Sequence, residues 1–255
     1  MHLVIWSSGR LVIESFVSLN DRIATPEAKR RYVRSLFATI ADRYDFITGA
    51  LSYGLDRRWK RRLVALAHPV AGRRALDLAT GTGDIAYSLA SRGADVVGLD
   101  ITPRMVELAV GKRSRHARSC SMVVGDMMAL PFSDRSFDLV TTGYGLRNVP
   151  NLTGAIDEIA RVLTPGGLAL SLDFNRPANV LVRRAYLLYL TLVGGGLGWL
   201  LHGDPDTYRY IPASIRQYPG AEAVGRLMEV RGFTDVIYLP LLGGLMAIHR
   251  ARRSG

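Results

Sequence analysis

The segment Asp77-Leu78-Ala79-Thr80-Gly81-Thr82-Gly83-Asp84 closes one apolar run and opens a helical one. A strand over residues 75–79 must turn sharply there into a helix over 84–91. Gly81 and Gly83 permit backbone angles, and a close approach of ligand to main chain, that a Cβ would block. The alternation continues with strands over 95–99, 121–124, 137–142 and 168–174 and helices over 102–110 and 152–163. Thr102-Pro103 is a helix start, and Pro165-Gly166-Gly167 a stop. Residues 234–239 and 245–250 read as a hairpin across 240–244. The expected fold class is therefore α/β, with a doubly wound, mostly parallel seven-stranded sheet, Rossmann-like, and one antiparallel strand near the C-terminus.

Charge selects the ligand. Asp77 stands at the end of the first of these strands, four residues before Gly81, where a carboxylate repels the pyrophosphate of a dinucleotide. The same carboxylate suits the sulfonium and ammonium groups of S-adenosyl-L-methionine. Asp100 ends the second strand and can accept from both ribose hydroxyls. Gly125-Asp126-Met127 follows the third, with Asp126 placed to take an adenine amino proton and Met127 to pack on the ring. A lone G-x-G is common in loops that bind nothing; the register of three acid-terminated strands is what points to a crevice. An NAD-dependent oxidoreductase is the alternative, because residues 81–86 also fit G-x-G-x-x-A, but it leaves Asp77 and Asp126 unexplained.

At 255 residues and 48% apolar content, the chain suffices for one domain, placed at 26–255. Residues 1–25 show no period and are expected as a poorly ordered extension. Residues 26–70 form a cap: an amphipathic helix over 27–40, a connection over 44–55 containing Gly49 and Gly54, and a helix over 56–66. An insertion at 176–220 holds the most apolar window, 185–201. Interrupted by Gly194, Gly195, Gly196 and Gly198, it reads as a greasy lid over a substrate pocket rather than a membrane span.

Cys120 is the one cysteine, which excludes an internal disulfide and fits a reducing, cytoplasmic setting. The apolar patch at 3–6 is too short, and lacks the basic start, for a cleavable signal. The formal charge of +11 is gathered at 29–31, 57–62, 112–118, 183–184 and 250–253. Nucleic acid is not expected, since basic and aromatic residues do not interleave in the stacking manner. Peripheral contact with the anionic inner face of a membrane is expected instead, against the plainer reading of solvated helix faces. Homo-oligomerisation is left open.

Over roughly residues 27–250 the chain resembles the ubiquinone/menaquinone biosynthesis C-methyltransferases, class I S-adenosylmethionine-dependent enzymes that methylate a polyprenylated quinol ring. The resemblance is carried by Tyr44-Asp45, Leu51-Ser52, Asp56-Arg57-Arg58-Trp59, the loop 77–84, Leu130-Pro131-Phe132, Ser136-Phe137-Asp138, Gly145-Leu146-Arg147-Asn148-Val149, Arg161-Val162-Leu163, Pro165-Gly166-Gly167, Tyr208-Arg209-Tyr210 and Ser214-Ile215. The loop is shared by many methyltransferases, whereas residues 145–149 and 208–210 are far more specific. The resemblance implies donor contacts at Thr82, Asp100, Asp126, Met127 and Gly143, beside Asp77, Gly81 and Gly83 of the loop. It implies demethylmenaquinol or a ubiquinol precursor as acceptor.

The chain departs from that pattern at Thr48 for Asn, Thr164 for Lys, and Asp173-Phe174-Asn175 for Glu, an apolar residue and Ser. These changes touch the acceptor side, so another lipid or a prenylated phenol stays open as substrate. Arg147 and Asn148, past the fourth strand, are expected to bond the quinol oxygens and favour the ionised ring. Tyr208 or Tyr210, with His202 and Asp204 nearby in sequence, are candidates for relaying the proton. The competing assignments are a surface histidine at 202, Tyr208 packing the prenyl chain, and Arg147 paired with Asp138 or Asp173. No metal is expected.

Overall fold

The computed structural model describes residues 2–7, 10–15, 19–112, 119–177, 179–203 and 206–255. Most of the basic run at 112–118, and Asp204, lie outside the described residues. Strands β1 (His2–Ser7) and β2 (Arg10–Ser15) pair antiparallel, and α1 (Leu19–Arg22) follows, in the stretch read from sequence as an extension without regular structure. Ile23 is buried with Val33, Tyr210 and Ala213, so packing begins before residue 26.

The cap comprises α2 (Pro26–Ile40), α3 (Tyr44–Leu51) and α4 (Asp56–Leu66). Thr25 caps α2 by accepting from the Ala28 N–H at 3.2 Å, with Pro26 in the first turn. Helix α3 stands where Gly49 and Gly54 suggested a loose connection. Ile47 is buried beneath it, and the chain breaks from helix only near Gly54, at φ +75°. Burial of one apolar face outweighs the roughly 1 kcal/mol that a mid-helix glycine costs.

The main sheet is built from β3 (Arg74–Leu78), β4 (Asp95–Asp100), β5 (Cys120–Val124), β6 (Phe137–Gly143), β7 (Leu163–Phe174), β8 (Phe233–Leu241) and β9 (Met246–Arg253). Its order is β5-β4-β3-β6-β7-β9-β8, and β9 is antiparallel to both neighbours while the others run parallel. β7 starts before the expected Leu168. A register shift between Phe137 and Leu139 absorbs Pro165-Gly166-Gly167.

Helices α5 (Asp84–Ala90) and α6 (Pro103–Gly111) connect β3, β4 and β5, and α7 (Leu152–Val162) precedes β7. Thr102 does not cap α6 through its hydroxyl; its N–H bonds Asp100 instead, at 2.9 Å. Alternate residues of the sheet feed two cores. Leu139, Leu168, Leu170 and Leu172 pack with Leu63, Ile85 and Leu89 on one face, while Leu76, Leu78 and Val140 pack with Ile156, Ile159 and Val224 on the other. Val224 belongs to α10 (Ala221–Val230). Strand order reverses between β3 and β6, and their carboxyl ends frame the crevice that such a switch point creates.

The insertion folds as α8 (Val180–His202) and α9 (Asp206–Gln217), packed on each other. The four glycines do not interrupt α8. Gly194, Gly195 and Gly198 are buried, and a Cβ at Gly194 would meet the Tyr208 Cβ at 3.2 Å, so the glycines let the two backbones approach. By length and composition α8 is able to cross a bilayer, and it is the one such helix among the described residues.

Candidate active site

Two cavities meet at the carboxyl ends of the strands. The first is a narrow cleft lined by Ala79, Asp100, Asp126, Met127, Gly143 and Asn148, among others, and closed over by Arg30 and Val33 of α2. Asp100 is buried; its Oδ2 accepts from the Gly81 N–H at 2.8 Å and its Oδ1 from the Thr102 N–H at 2.9 Å. Burial nevertheless pushes its carboxyl above the ordinary carboxylate value. Asp126 accepts from the Met128 N–H at 2.9 Å and pairs with Arg30 at 2.5 Å. Gly143, on its wall, packs closely against the core: a Cβ there would stand 2.7 Å from Ile85 Cδ1.

The rest of the predicted loop lies behind this cleft rather than on its wall. Asp77 faces Thr141 in the sheet register and is buried, accepting from Thr141 Oγ1 at 2.7 Å and from Thr80 Oγ1 at 2.6 Å. Its carboxylate therefore clamps the loop to β6, one layer behind the residues that line the cleft. Burial pushes its carboxyl up to about 6, against the two hydroxyls and Lys60, which pull it down. Gly81 (φ +55°) presents its N–H to Asp100, and Gly83 (φ +87°) caps α5 in the left-handed region. Thr82 donates to Asp45 Oδ1 at 2.7 Å, tying the loop to α3.

The second cavity, about 520 Å³, lies among α2, α3, α8 and α9 and is dominated by aromatic and aliphatic side chains. Arg147 is the one charged group on its wall among the described residues. Its Nε donates to Asp173 Oδ1 at 3.3 Å, its N–H to Asp173 Oδ2 at 3.0 Å and its Nη1 to Ser214 Oγ; the guanidinium lies 4.8 Å from the Phe174 ring centroid. Burial raises the Asp173 carboxyl and Arg147 lowers it, with burial prevailing. The pairing with Asp173 is thus present, and the one with Asp138 is not: Asp138 holds the Arg74 N–H and Thr164.

Tyr208 stands on the same wall, its hydroxyl 2.9 Å from His202 Nε2, and burial pushes its phenol up to about 12. Asn148 is separated from Arg147: it faces the first cleft, gives its amide to the Tyr144 carbonyl at 2.8 Å and accepts from the Tyr210 hydroxyl at 3.1 Å. Sequence reasoning missed Tyr44 and Tyr144 as site residues. Together with Phe37, they belong to both cavities and form the partition between them. Tyr144 sits at φ +61° and Ala79 at φ +51°, non-glycine residues in the left-handed region at two strand ends beside the cleft.

A doubly wound sheet with one antiparallel strand, an acid at each of two strand ends and an apolar cavity alongside define a class I S-adenosylmethionine-dependent methyltransferase. Among solved structures, a methyltransferase described as a possible histamine N-methyltransferase from Thermotoga maritima superposes with TM-score 0.61 at 19% identity, covering 87% of this chain and 100% of that one. The family model for the ubiE/COQ5 methyltransferase family matches residues 25–253. The chain belongs to that family. Demethylmenaquinone methyltransferase of Thermus thermophilus is 43% identical over 84% of this chain and 98% of its own length. Ubiquinone/menaquinone biosynthesis C-methyltransferase UbiE of Zymomonas mobilis is 38% identical over 91% and 97%.

Proposed function

We propose that this chain transfers a methyl group from S-adenosylmethionine to a ring carbon of a polyprenylated quinol, demethylmenaquinol or a ubiquinol precursor, a reading supported by relatives named demethylmenaquinone methyltransferase and ubiquinone/menaquinone biosynthesis C-methyltransferase. The observation that carries the reading is the shared partition. A cleft fit for a nucleoside and a large apolar cavity touch through Phe37, Tyr44 and Tyr144. The residues present fit the donor: Asp100 retains lone pairs beyond its two backbone bonds for ribose hydroxyls, and Asp126 and Met127 stand together for adenine. When bound, the donor supplies a methyl group on a cationic sulfur.

What the protein must add is alignment, exclusion of water and electron density on the ring. The apolar cavity accepts a flat ring and an isoprenoid tail. Arg147, placed in low-dielectric surroundings, favours an ionised ring oxygen, and Tyr208, held by His202, adds a second polar group to the wall. Asn148 acts from the donor side by fixing Tyr210 and the Tyr144 carbonyl.

Helix α8 turns Leu181, Leu188, Leu192, Trp199 and Leu200 outward, and exposed Tyr53 and Val182 lie on the cavity rim. With Arg183 and Arg184 beside them, these residues suit the anionic inner leaflet from which a prenylated substrate would be drawn. The test is methyl transfer by purified protein from labelled donor to a demethylated prenylated quinol, with and without anionic vesicles. The expected product is the ring-methylated quinol, formed faster on vesicles. Label on a phospholipid amine, with none on the quinol, would replace this reading.

A further inference from the structure

Ring methylation with a sulfonium donor releases one proton for each methyl transferred, and that proton must leave a cavity walled mostly by aromatic and aliphatic side chains. Most carboxylates near the two cavities are already engaged by main-chain donors. Asp100 holds the Gly81 and Thr102 N–H groups, Asp126 the Met128 N–H, and Asp173 the Arg147 and Phe174 N–H groups. Asp56 differs. It heads α4, is buried, and its Oδ1 accepts at 2.6 Å from the hydroxyl of Tyr144, the residue that lines both cavities. Its Oδ2 lies 2.8 Å from Lys60 Nζ, which reaches Asp84 at 2.9 Å. Asp56 also lines a separate outer cleft with Asp45, Arg57, Lys60, Asp84 and Lys112. Tyr144 and Asp56 therefore span the partition from the inner cavities to the surface.

We propose that Tyr144 and Asp56 form the proton exit for the acceptor ring. A hydroxyl of the quinol gives its proton to the Tyr144 oxygen as Tyr144 passes its own to Asp56 Oδ1, and water in the outer cleft removes that proton from Asp56. The ring carbon of the resulting phenolate then forms the C–C bond while the S–CH3 bond breaks and its electron pair stays on sulfur. The hydrogen on the methylated carbon moves to the ring oxygen and restores the aromatic quinol. The balance is one methyl gained by the ring and one proton delivered to solvent. Lys60 pairs with both Asp56 and Asp84 and fixes the Asp56 side chain at the mouth of the outer cleft. The strained backbone at Tyr144 fits a side chain held for such a task.

This inference rests on the apolar cavity being the phenol site. Its test uses no turnover: a prenylated nitrophenol, whose ionised form absorbs in the visible, is bound with S-adenosylhomocysteine, and its ionisation is followed after a rapid pH jump. Tyr144→Phe, which keeps the ring, is expected to slow the relaxation at least tenfold while its end point stays near the wild-type value. Asp56→Asn is expected to do the same, and Tyr238→Phe, on β8 away from both cavities, to relax at the wild-type rate. Wild-type relaxation in Tyr144→Phe overturns the exit, as does slowing confined to Tyr208→Phe. Failure of the wild-type protein to bind the probe removes the cavity assignment and the exit with it. Should Asp56→Asn not fold, Tyr144→Phe alone decides.

Discussion

The donor side and the acceptor side of this site are built by different means. Beneath the cleft, two acids are satisfied by close main-chain and cross-strand partners, Asp100 by Gly81 and Thr102 and Asp77 by Thr80 and its strand neighbour Thr141, while Arg30 on Asp126 and Tyr210 on Asn148 add helix contacts above it. Around the apolar cavity, the walls come from α2, α3, α8, α9 and the ends of β7 and β9, held by side chains remote in sequence. The cleft is thus a property of the sheet and the cavity a property of packing. Damage to the cleft should act on binding with the fold intact, whereas damage to the cavity should reach stability as well.

The largest effect is expected at Arg147, where the two roles coincide. Arg147→Ala leaves Asp173 buried without its partner, which costs about 3–5 kcal/mol, read by denaturant unfolding. Replacing both, Arg147→Met with Asp173→Leu, is expected to recover most of that stability and still not methylate quinol. A stable, active double variant would reduce Arg147 to a structural role. Next comes Asp100→Ala. Loss of two charge-assisted bonds to ribose, at about 1.5–3 kcal/mol each, predicts donor binding weaker by at least roughly a hundredfold in calorimetry. Unchanged donor affinity would contradict the ribose assignment.

A smaller effect sharpens the contrast from the acceptor side. Gly194→Leu drives a side chain into Tyr208 across the α8–α9 contact and is expected to cost about 1–3 kcal/mol. Quinol KM should rise while donor affinity holds; a parallel loss of donor affinity would mean that the two sides are not separately built. The smallest effect concerns Asp77. Its folded-state value of about 6 lies above its ordinary 3.8, so its contribution to stability is full below about 3.8 and declines as pH rises through about 6. Asp77→Asn is expected to remove that slope from a pH series of unfolding free energies, and an unaltered slope would assign it to another group.

The strand-end chemistry was legible because it is local. Glycines, acids and strand periods at 75–84, 95–100 and 121–127 located β3, β4 and β5 and pointed to Asp100, Asp126 and Met127, which line one cleft, whereas Gly143 came from the family resemblance. The clamp made by Asp77 was not legible because its partner Thr141 is a cross-strand neighbour 64 residues away, and only the β3–β6 register brings the two together. The α3 helix and the unbroken α8 were obscured by glycines whose cost is offset by tertiary burial. Tyr144 was hidden for a similar reason: its place in the partition follows from a left-handed backbone turn and from Asp56, 88 residues earlier.

A crystal structure with S-adenosylhomocysteine and a prenylated quinol together tests the joined cavities most directly. Adenosine is expected against Asp100, Asp126 and Met127, the quinol ring between Tyr144 and Arg147, and the tail leaving along α8. A ring bound outside this cavity, or a dinucleotide filling the cleft, would contradict that arrangement.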